Sequence, residues 1–306
     1  MSILHSSSNI ASEINLNLEA FLKDFSIEVM PRTAAKIENF CDILPQQTLI
    51  YIAHIEGTPI EEMVDTAKRL IEEGFDVMPH FPARIIKNHA TLVDWIKRYQ
   101  NEAGVKQALL LAGGVDKPYG EYQCSMDLLE TGEFDKAGFT NLHVAGHPEG
   151  NIDIDKDGST SNVDAAISWK QTFSKRTDAK MAMTTQFCFE SGPVIEWADR
   201  MTSRGIDIPI HIGVAGPAKL QTMIKFSMAC GVGASLRVLK RRAKDVTKLL
   251  LPFKPNKILT ELAEHKAKNP DFLITNVHFF PLGGIKTNAN WTMENGGKSA
   301  IPAKQS

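Results

Sequence analysis

The sequence predicts a closed α/β barrel of eight parallel strands wrapped by helices, a (β/α)8 or TIM barrel, with an extra helix at the amino terminus. Short apolar segments alternate with amphipathic ones along the whole chain, and there are eight of the apolar segments. The 306 residues are enough for one such barrel, which takes about 250 residues, and a modest addition. An open doubly wound sheet is the alternative, with a cofactor bound where the strand order reverses. The count of eight favours the barrel.

The eight predicted strands are rich in Ile, Val, Leu and Phe and are nearly unbroken by polar residues. Such runs are typical of parallel strands that are covered on both faces. The predicted strands are Phe25–Met30, Thr48–Ala53, Asp76–Pro79, Gln107–Ala112, Asn141–Ala145, Met181–Phe187, Ile208–Val214 and Phe272–Phe279.

The segments between the strands carry helical patterns. After the second strand, Thr58, Pro59 and Glu61 stand in the order of an N-cap, a first helical residue and a capping-box partner. An apolar stripe between Ile60 and Ile71 follows, and Gly74 ends the helix. Two further stripes predict helices: Ile37, Phe40, Cys41 and Leu44 one unit earlier, and Val194, Trp197, Ala198 and Met201 between strands six and seven.

No repeat, linker or break in composition divides the chain, so residues 1–306 are predicted to form one domain. Residues 1–20 have the pattern of the extra helix, which we expect to close the amino-terminal end of the barrel. Residues 292–306 are expected to form a flexible tail. We expect the protein to form a homo-oligomer.

Composition excludes several classes of protein. The apolar fraction of 43% and charged fraction of 23% are ordinary for a globular protein, and a net charge of −2 favours neither nucleic acid nor an anionic membrane as partner. No run approaches the roughly 18 apolar residues of a membrane helix, and the amino terminus lacks a secretory pattern, so we expect a cytoplasmic protein. Cys41, Cys124, Cys188 and Cys230 are too scattered for a disulfide framework or a cysteine-based zinc site.

Polar residues follow the predicted strands at the end where barrels of this class carry their active sites. Six of the nine histidines lie in strands or just past them. A lone histidine on an apolar strand is more often a satisfied core residue, but six on one rim indicate that some are functional. In chain order the rim residues are Glu28, His54, Glu56, His80, Gly113, Gly114, Asp116, His147, Glu149, Gln186, His211, Gly213, Gly216 and His278, and His143, within the fifth strand, is the sixth histidine.

Histidines and acids together also fit a metal-dependent barrel hydrolase, which is one alternative function. The first strand has no His-x-His pair, and His143 and His147 are separated by a predicted strand end. We therefore expect no catalytic metal.

One acidic loop resembles the start of a calcium-binding loop. The segment from Asp153 to Gly158 has the right spacing, but Thr160 replaces an apolar residue and Asp164 replaces the bidentate glutamate. No predicted helix precedes the loop. A solvated acidic turn ahead of a helix is the favoured interpretation.

Several segments, taken in order, resemble the methylenetetrahydrofolate reductases, which are flavin-containing (β/α)8 barrels. The Glu-x-x-Pro-Arg-Thr start and the Thr-Gln-Phe-x-Phe strand are the most specific of them. The matching segments are 27–33 (IEVMPRT), 79–80 (PH), 147–149 (HPE), 185–189 (TQFCF), 205–208 (GIDI), 213–217 (GVAGP) and 278–280 (HFF).

The resemblance implies a hydride-transfer cycle. NADH or NADPH reduces FAD, and the flavin reduces 5,10-methylenetetrahydrofolate to 5-methyltetrahydrofolate. The folate ring must first open to an iminium, with a carboxylic acid protonating the departing nitrogen. Glu28 matches the family's acid, and its apolar neighbours Phe25, Ile27, Val29 and Met30 are expected to raise its pKa.

The resemblance also assigns binding roles. Gln186 matches a glutamine that contacts substrate and nicotinamide, and its neutral amide can hydrogen-bond to the pterin. Asp116, Phe189 and Leu220 are the other implied substrate contacts. The implied flavin contacts are His54, His80, Gly113, Gly114, His147, Glu149, Asn151, Asp164 and Lys170.

The sequence departs from the family mainly at the flavin site. Ala112-Gly113-Gly114 stands where the family has Arg-Gly-Asp, His147 where it has tyrosine, and Ala53-His54 where it has Thr-Tyr. We therefore expect FAD to be weakly bound or absent, with direct hydride transfer from nicotinamide to folate as one possibility. A folate-binding or methyl-transfer barrel without redox chemistry is a further alternative.

Overall fold

Eight parallel strands pair in chain order, and the last pairs with the first to close the barrel, which confirms the predicted fold class. The computed structural model describes residues 13–229, 239 and 252–297. The strands are β1 (Ser26–Val29), β2 (Leu49–Ile52), β3 (Asp76–Pro82), β4 (Gln107–Leu111), β5 (Asn141–Gly146), β6 (Lys180–Cys188), β7 (Ile210–Ala215) and β8 (Ile274–Phe280).

Helices cover the outside of the barrel. They are α1 (13–22), α2 (Pro31–Ala34), α3 (Ile60–Glu72), α4 (His89–Ala103), α5 (Ser125–Glu130), α6 (Glu133–Lys136), α7 (Ser161–Phe173), α8 (Ser191–Ser203), α9 (Leu220–Ala229), α10 (Asn256–Lys268) and α11 (Ile285–Glu294). None of these described helices has the length and apolar character needed to cross a bilayer.

Alternate strand residues separate two kinds of interior. Ile50 and Ile52 point outward into the main hydrophobic core, where they join side chains of the surrounding helices. Tyr51, between them, points into the barrel and packs with Met78 and Leu109 in a separate small cluster. Because side chains alternate along a strand, the apolar runs supply the outer core while every second position is free to carry polar chemistry inside.

Two local predictions are wrong. Ile37, Phe40 and Leu44 are buried as expected, but they lie on an irregular segment with a single 3-10 turn (Phe40–Asp42), and Cys41 is exposed. Helix α3 begins at Ile60 with Pro59 as its N-cap and no side-chain cap hydrogen bond, so Thr58 forms no capping box. The acidic residues Glu61 and Glu62 in its first turn still stabilise the helix through their interaction with the helix dipole.

The two ends of the described chain meet. Leu18, Phe21 and Leu22 of α1 are buried, and Gly296, just after α11, lies so close that an added Cβ would be 2.3 Å from Glu19 Cγ. The predicted tail begins too early, because Thr292 is buried within α11. Residues 1–12 of the predicted amino-terminal helix and 298–306 of the predicted tail lie outside the described residues, as does Cys230.

Candidate active site in the barrel mouth

Polar side chains from seven strands meet inside the barrel, in what we call the interior cluster. Strand register places them level with one another: Glu28 pairs with Tyr51, Ser26 with His278, and Thr184 with His211. The cluster consists of Ser26, Glu28, Tyr51, His80, His143, Thr184, His211 and His278.

Glu28 is the acid of this cluster. The eight strands carry two acidic residues, and the other, Asp76, is exposed at the start of β3. One carboxylate oxygen of Glu28, Oε2, lies 3.4 Å from His80 Nε2 and 3.8 Å from His278 Nε2. The side chain of Glu28 is 21% exposed, against 10% for His80 and 1% for His278. The carboxyl is therefore the part of this group that a substrate at the barrel mouth can reach.

A second group lies against these residues. The Tyr51 hydroxyl and His143 Nδ1 share a hydrogen bond of 2.6 Å, and Thr184 Oγ1 is 3.1 Å from the same hydroxyl. The His211 ring packs edge-on against His143 at 4.6 Å, and the Tyr51 ring lies 4.4 Å from the His278 ring. Packed rings and short hydrogen bonds hold the base of the site rigid.

Burial sets the protonation of the cluster. Burial raises the pKa of Glu28, and the nearby His80 opposes this only in part. Burial lowers the pKa of His80 to about 4, although Glu28 opposes the shift, and lowers the pKa of His278 to about 3. The pKa of His143 is likewise well below its usual value through burial. The site thus combines a carboxyl whose pKa is raised with imidazoles whose pKa values are lowered, because burial disfavours the charged form of each group.

Ser26, His278 and Glu28 are the residue types of a hydrolytic triad. Ser26 Oγ is 2.9 Å from His278 Nδ1, but Ser26 is 1% exposed. A nucleophilic serine must meet its substrate. Because the carboxyl, not the hydroxyl, faces the mouth, the arrangement favours an acid at Glu28 over a nucleophile at Ser26.

Gln186 lies in a β-bulge. Between Thr184 and Phe187 strand β6 has one residue more than the facing strand β7. Gln186 is half-buried, and its Oε1 accepts a hydrogen bond from Phe187 N–H at 3.1 Å. In the described part of the chain, Glu28 makes its polar contacts with His80 and His278, so Gln186 is not brought into that group. Its substrate role stays a prediction.

The bulge requires glycine at position 213. Gly213 N–H donates to Thr185 Oγ1 at 2.8 Å, and a Cβ on Gly213 would lie 2.3 Å from Thr185 O. We expect Gly213→Ala to lower the free energy of unfolding by roughly 1–3 kcal/mol, since backbone must shift to admit the methyl group. Urea denaturation measures this, with Gly192→Ala as control because a Cβ there meets nothing within 4 Å. Equal stability of the two variants would contradict the close approach.

Phe189 and Leu220, two of the predicted substrate contacts, belong to an aromatic cluster on the β6–β8 side of the barrel. Phe189 is 8% exposed and packs edge-on against Phe187 and Phe253, while Leu220 is 2% exposed. Phe280 joins Phe187 at 5.4 Å and reaches the His278 ring at 4.9 Å. This apolar wall therefore adjoins the interior cluster.

The loop after β4 carries three of the predicted site residues, Gly113, Gly114 and Asp116. Gly113 has a φ of +94° and packs on Pro82, which suits glycine. Gly114 and Asp116 are exposed. The Arg84 guanidinium anchors the loop by donating to Val115 O at 3.1 Å.

Three of the predicted flavin contacts are engaged elsewhere. His54 stacks on Trp95 of α4 at 4.8 Å, and its Nε2 lies 3.0 Å from Thr58 O. Asp164 pairs with Arg204 at 2.6 Å and Arg200 at 3.6 Å. Lys170 donates from Nζ to Ala145 O at 2.8 Å. These groups serve the packing of helices around the barrel.

The remaining predicted flavin contacts lie inside the barrel or in the segment after β5. His80 faces Glu28 inside the barrel. His147 is partly buried, and burial together with Lys170 lowers its pKa to about 4. Asn151 Oδ1 accepts from Asp153 N–H at 2.9 Å, and Glu149, which has its own interactions, is partly buried. The flavin contacts that the family resemblance implies therefore stay a prediction.

Lys170 is 5% exposed, and its ammonium group donates a hydrogen bond to the carbonyl of Ala145. Burial lowers its pKa to about 8, so at neutral pH the native state holds a desolvated ammonium. We expect Lys170→Met to raise the free energy of unfolding at pH 7 by about 1–3 kcal/mol. Wild-type stability should rise with pH above 8, because the unfolded lysine binds its proton more tightly. A destabilised methionine variant in urea denaturation would contradict this.

The acidic loop is used as a helix cap. Both carboxylate oxygens of Asp155 accept backbone N–H groups at the start of α7, from Asn162 at 2.9 Å and Val163 at 3.0 Å. Asp155 is consequently buried and held by the helix start. Across residues 13–229 and 252–297, no group of three or more histidine, cysteine, aspartate or glutamate side chains is placed to hold a metal ion.

The sequence interpretation missed Ser26, Tyr51 and Thr184. Each is a polar residue two positions from another inward-facing residue, such as Ser26 before Glu28. The period of two along each strand was the signal that identifies them.

No model of a protein family matches the sequence. A solved structure of an uncharacterized protein from Clostridium thermocellum, described as binding two copies of 5-methyl-5,6,7,8-tetrahydrofolic acid, is similar with a TM-score of 0.53 and 10% identity, over 90% of this chain and 95% of that one. A Yersinia pestis DHPS structure with a pterine-sulfa conjugate has a TM-score of 0.41 and 11% identity, over 90% and 94% of the two chains. At these low sequence identities, the similarity is one of fold alone.

Proposed function

We propose that this barrel binds a reduced folate at its mouth and reduces 5,10-methylenetetrahydrofolate to 5-methyltetrahydrofolate with NADH or NADPH. The observation that carries the proposal is the Glu28 carboxyl, placed at the mouth with its pKa raised by burial and surrounded by uncharged histidines. The folate ligand of the Clostridium thermocellum neighbour supports the choice of substrate.

Glu28 acts as the general acid in this reaction. Its carboxyl gives a proton to N10 of the folate while the N10–methylene bond breaks, leaving an N5 iminium and a Glu28 carboxylate. The hydride from C4 of the reduced nicotinamide then adds to the iminium carbon and forms the N5-methyl group. The products are 5-methyltetrahydrofolate and oxidised nicotinamide, and Glu28 recovers its proton from solvent. Such acid catalysis is worth about 10²–10⁴-fold.

The hydride passes directly from nicotinamide to folate in this proposal. Of the predicted flavin contacts, His54, Asp164 and Lys170 are held by other parts of the protein. Phe280 is partly buried and its ring lies 4.9 Å from the His278 ring, so it offers apolar surface near the acid on which a pterin or nicotinamide ring can pack.

The test is the oxidation of NADH and NADPH by the purified protein with 5,10-methylenetetrahydrofolate, with and without added FAD. We expect turnover that depends on folate and does not increase with FAD. Turnover that requires FAD would contradict direct transfer. Tight binding of 5-methyltetrahydrofolate by calorimetry, without any nicotinamide oxidation, would instead show a non-redox folate-binding or methyl-transfer protein.

A further inference from the structure

A cavity outside the interior cluster takes no part in the reaction as described. It has a volume of about 630 Å³ and lies between the loops that follow β7 and β8 and one face of α11. The two loops touch, since a Cβ on Gly283 would lie 2.0 Å from the carbonyl oxygen of Pro217. Trp291, which is 4% exposed, lines the cavity and packs edge-on against Phe279 of β8. The walls of the cavity are therefore built from the barrel itself.

A short backbone pairing brings two lysines to this cavity. Ala218 and Phe253 pair in antiparallel fashion, with N–H to carbonyl distances of 3.2 and 2.9 Å, and both side chains join the aromatic cluster. Because side chains alternate along paired segments, the next residues, Lys219 and Lys254, point to the other side, where both line the cavity. Both lysines are exposed, and their side chains make no hydrogen bond or ion pair within the described residues.

Two helices begin at the cavity. Thr222 in the first turn of α9 and Thr287 in the first turn of α11 both line it. The first N–H groups of a helix have no partner within the helix and carry partial positive charge. Each threonine adds a hydroxyl donor, which has no hydrogen bond in the part of the chain that the structure describes. Together, two ammonium groups, two hydroxyls and two helix starts favour an oxyanion such as phosphate.

The position and the apolar wall of the cavity favour a phosphate carried by an organic molecule. In (β/α)8 barrels the loops after strands seven and eight frequently form a phosphate site together with the start of a helix. Leu282 and Trp291 add apolar surface on which a ring of the ligand can pack. A carboxylate also lines the cavity, but Glu294 lies seven residues beyond Thr287 on α11, about 10 Å along the helix. It is therefore separated from the helix start.

We propose that this cavity binds the diphosphate of a nucleotide, whose charge Lys219 and Lys254 neutralise and whose oxygens accept hydrogen bonds at the starts of α9 and α11. The inference rests on the proposed function, in which the nucleotide is the nicotinamide dinucleotide. Because β8 neighbours β1 in the closed barrel, a diphosphate held on the β7 and β8 side leaves the nicotinamide free to reach the mouth at Glu28.

The first test measures binding of ADP, which carries the diphosphate without the nicotinamide. In calorimetry at low ionic strength, we expect ADP to bind the wild-type protein at least about tenfold more tightly than adenosine, which has no phosphate. The double variant Lys219→Ala, Lys254→Ala should bind ADP at least about tenfold more weakly than wild type, because hydrogen bonds to charged groups are worth that much. No binding of ADP, or equal binding of ADP and adenosine, would overturn the inference.

Lys225 and Lys286 supply a matched control. They are exposed on α9 and α11 and are not among the residues that line the cavity. The double variant Lys225→Ala, Lys286→Ala removes the same charge nearby and should keep wild-type binding of ADP. An equal loss in both double variants would show a general effect of surface charge and overturn the inference. Asn290→Trp fills the cavity without changing its charge and should also weaken ADP binding, whereas unchanged binding would place ADP elsewhere.

These measurements use neither folate nor turnover, so the site and the proposed function can fail separately. A protein that binds ADP as expected but fails the reductase assay would keep the site and lose the proposed function. An active reductase whose KM for the nicotinamide dinucleotide is the same in Lys219→Ala, Lys254→Ala would keep the function and overturn the site. The glutamate carboxylates of folate are the competing anion. Weaker binding of 5-methyltetrahydrofolate by that variant, with ADP binding unchanged, would assign the cavity to folate and overturn the inference.

Discussion

Replacing Glu28 with glutamine is expected to lower the rate of methylenetetrahydrofolate reduction by about 10²–10⁴-fold without unfolding the protein. Glutamine preserves the size and shape of the side chain but has no proton to give to the folate nitrogen. The wild-type rate should also fall as the pH rises through the pKa of Glu28, which burial raises above its ordinary value. Steady-state kinetics of both proteins over a pH series measure these effects.

Asp76 supplies a matched control. It is the other acidic residue of the strands and is exposed at the start of β3. Asp76→Asn removes a strand carboxyl as well and should leave the kinetics unchanged. Calorimetric binding of 5-methyltetrahydrofolate should survive in Glu28→Gln, since the substitution removes a proton transfer and not a binding surface. A Glu28→Gln protein that keeps more than about a tenth of the wild-type rate would exclude Glu28 as the acid.

Lowering the pH should destabilise this barrel at pH values above those at which most carboxylates titrate. Burial lowers the pKa of His80 and of His211 to about 4 and that of His278 to about 3, from 6.5. The native state therefore holds these rings neutral, while the unfolded chain binds protons near 6.5. Their contribution to stability is fully present above that pH and is lost as the pH falls toward 4. For His80 alone the shift corresponds to about 3 kcal/mol.

Urea denaturation between about pH 7 and pH 5 measures this loss. Glu28 has the opposite effect: its pKa is raised in the native state, so its protonation at lower pH stabilises the native state. It is a single group, however, and the effect of the several histidines is larger. His211→Gln removes one of these titrating rings and should make the dependence on pH shallower. A free energy of unfolding that stays constant over this range would show that the histidines are not held neutral by burial.

The closed barrel could be predicted from the sequence because its determinants are local. Eight apolar runs such as Gln107–Leu111 and Asn141–Gly146 were identified within a few residues of their true ends. Strand β3 was the least accurate, because the prediction ended it at Pro79 whereas the strand continues to Pro82. The helix expected after β1 failed because burial of Phe40 and Leu44 needs only their spacing, not a helical backbone.

The candidate site could be predicted from local sequence only in part. Glu28 could be selected from the sequence because a charged residue inside an apolar strand is unusual and because the flanking motif resembled a known family. The flavin contacts were carried over from that resemblance and stay a prediction, because their geometry depends on residues far apart in the chain: His54 stacks on Trp95, which lies about forty residues further along.

The sequence by itself thus predicted the barrel and the place of the acidic residue Glu28 in its first strand, since hydrophobic period and strand count depend on residues close together in the chain. Only the tertiary structure decided the partners of that acid. His80 comes from β3 and His278 from β8, and barrel closure brings both against Glu28 of β1. The protonation of the group also depends on three-dimensional burial, which no single segment encodes.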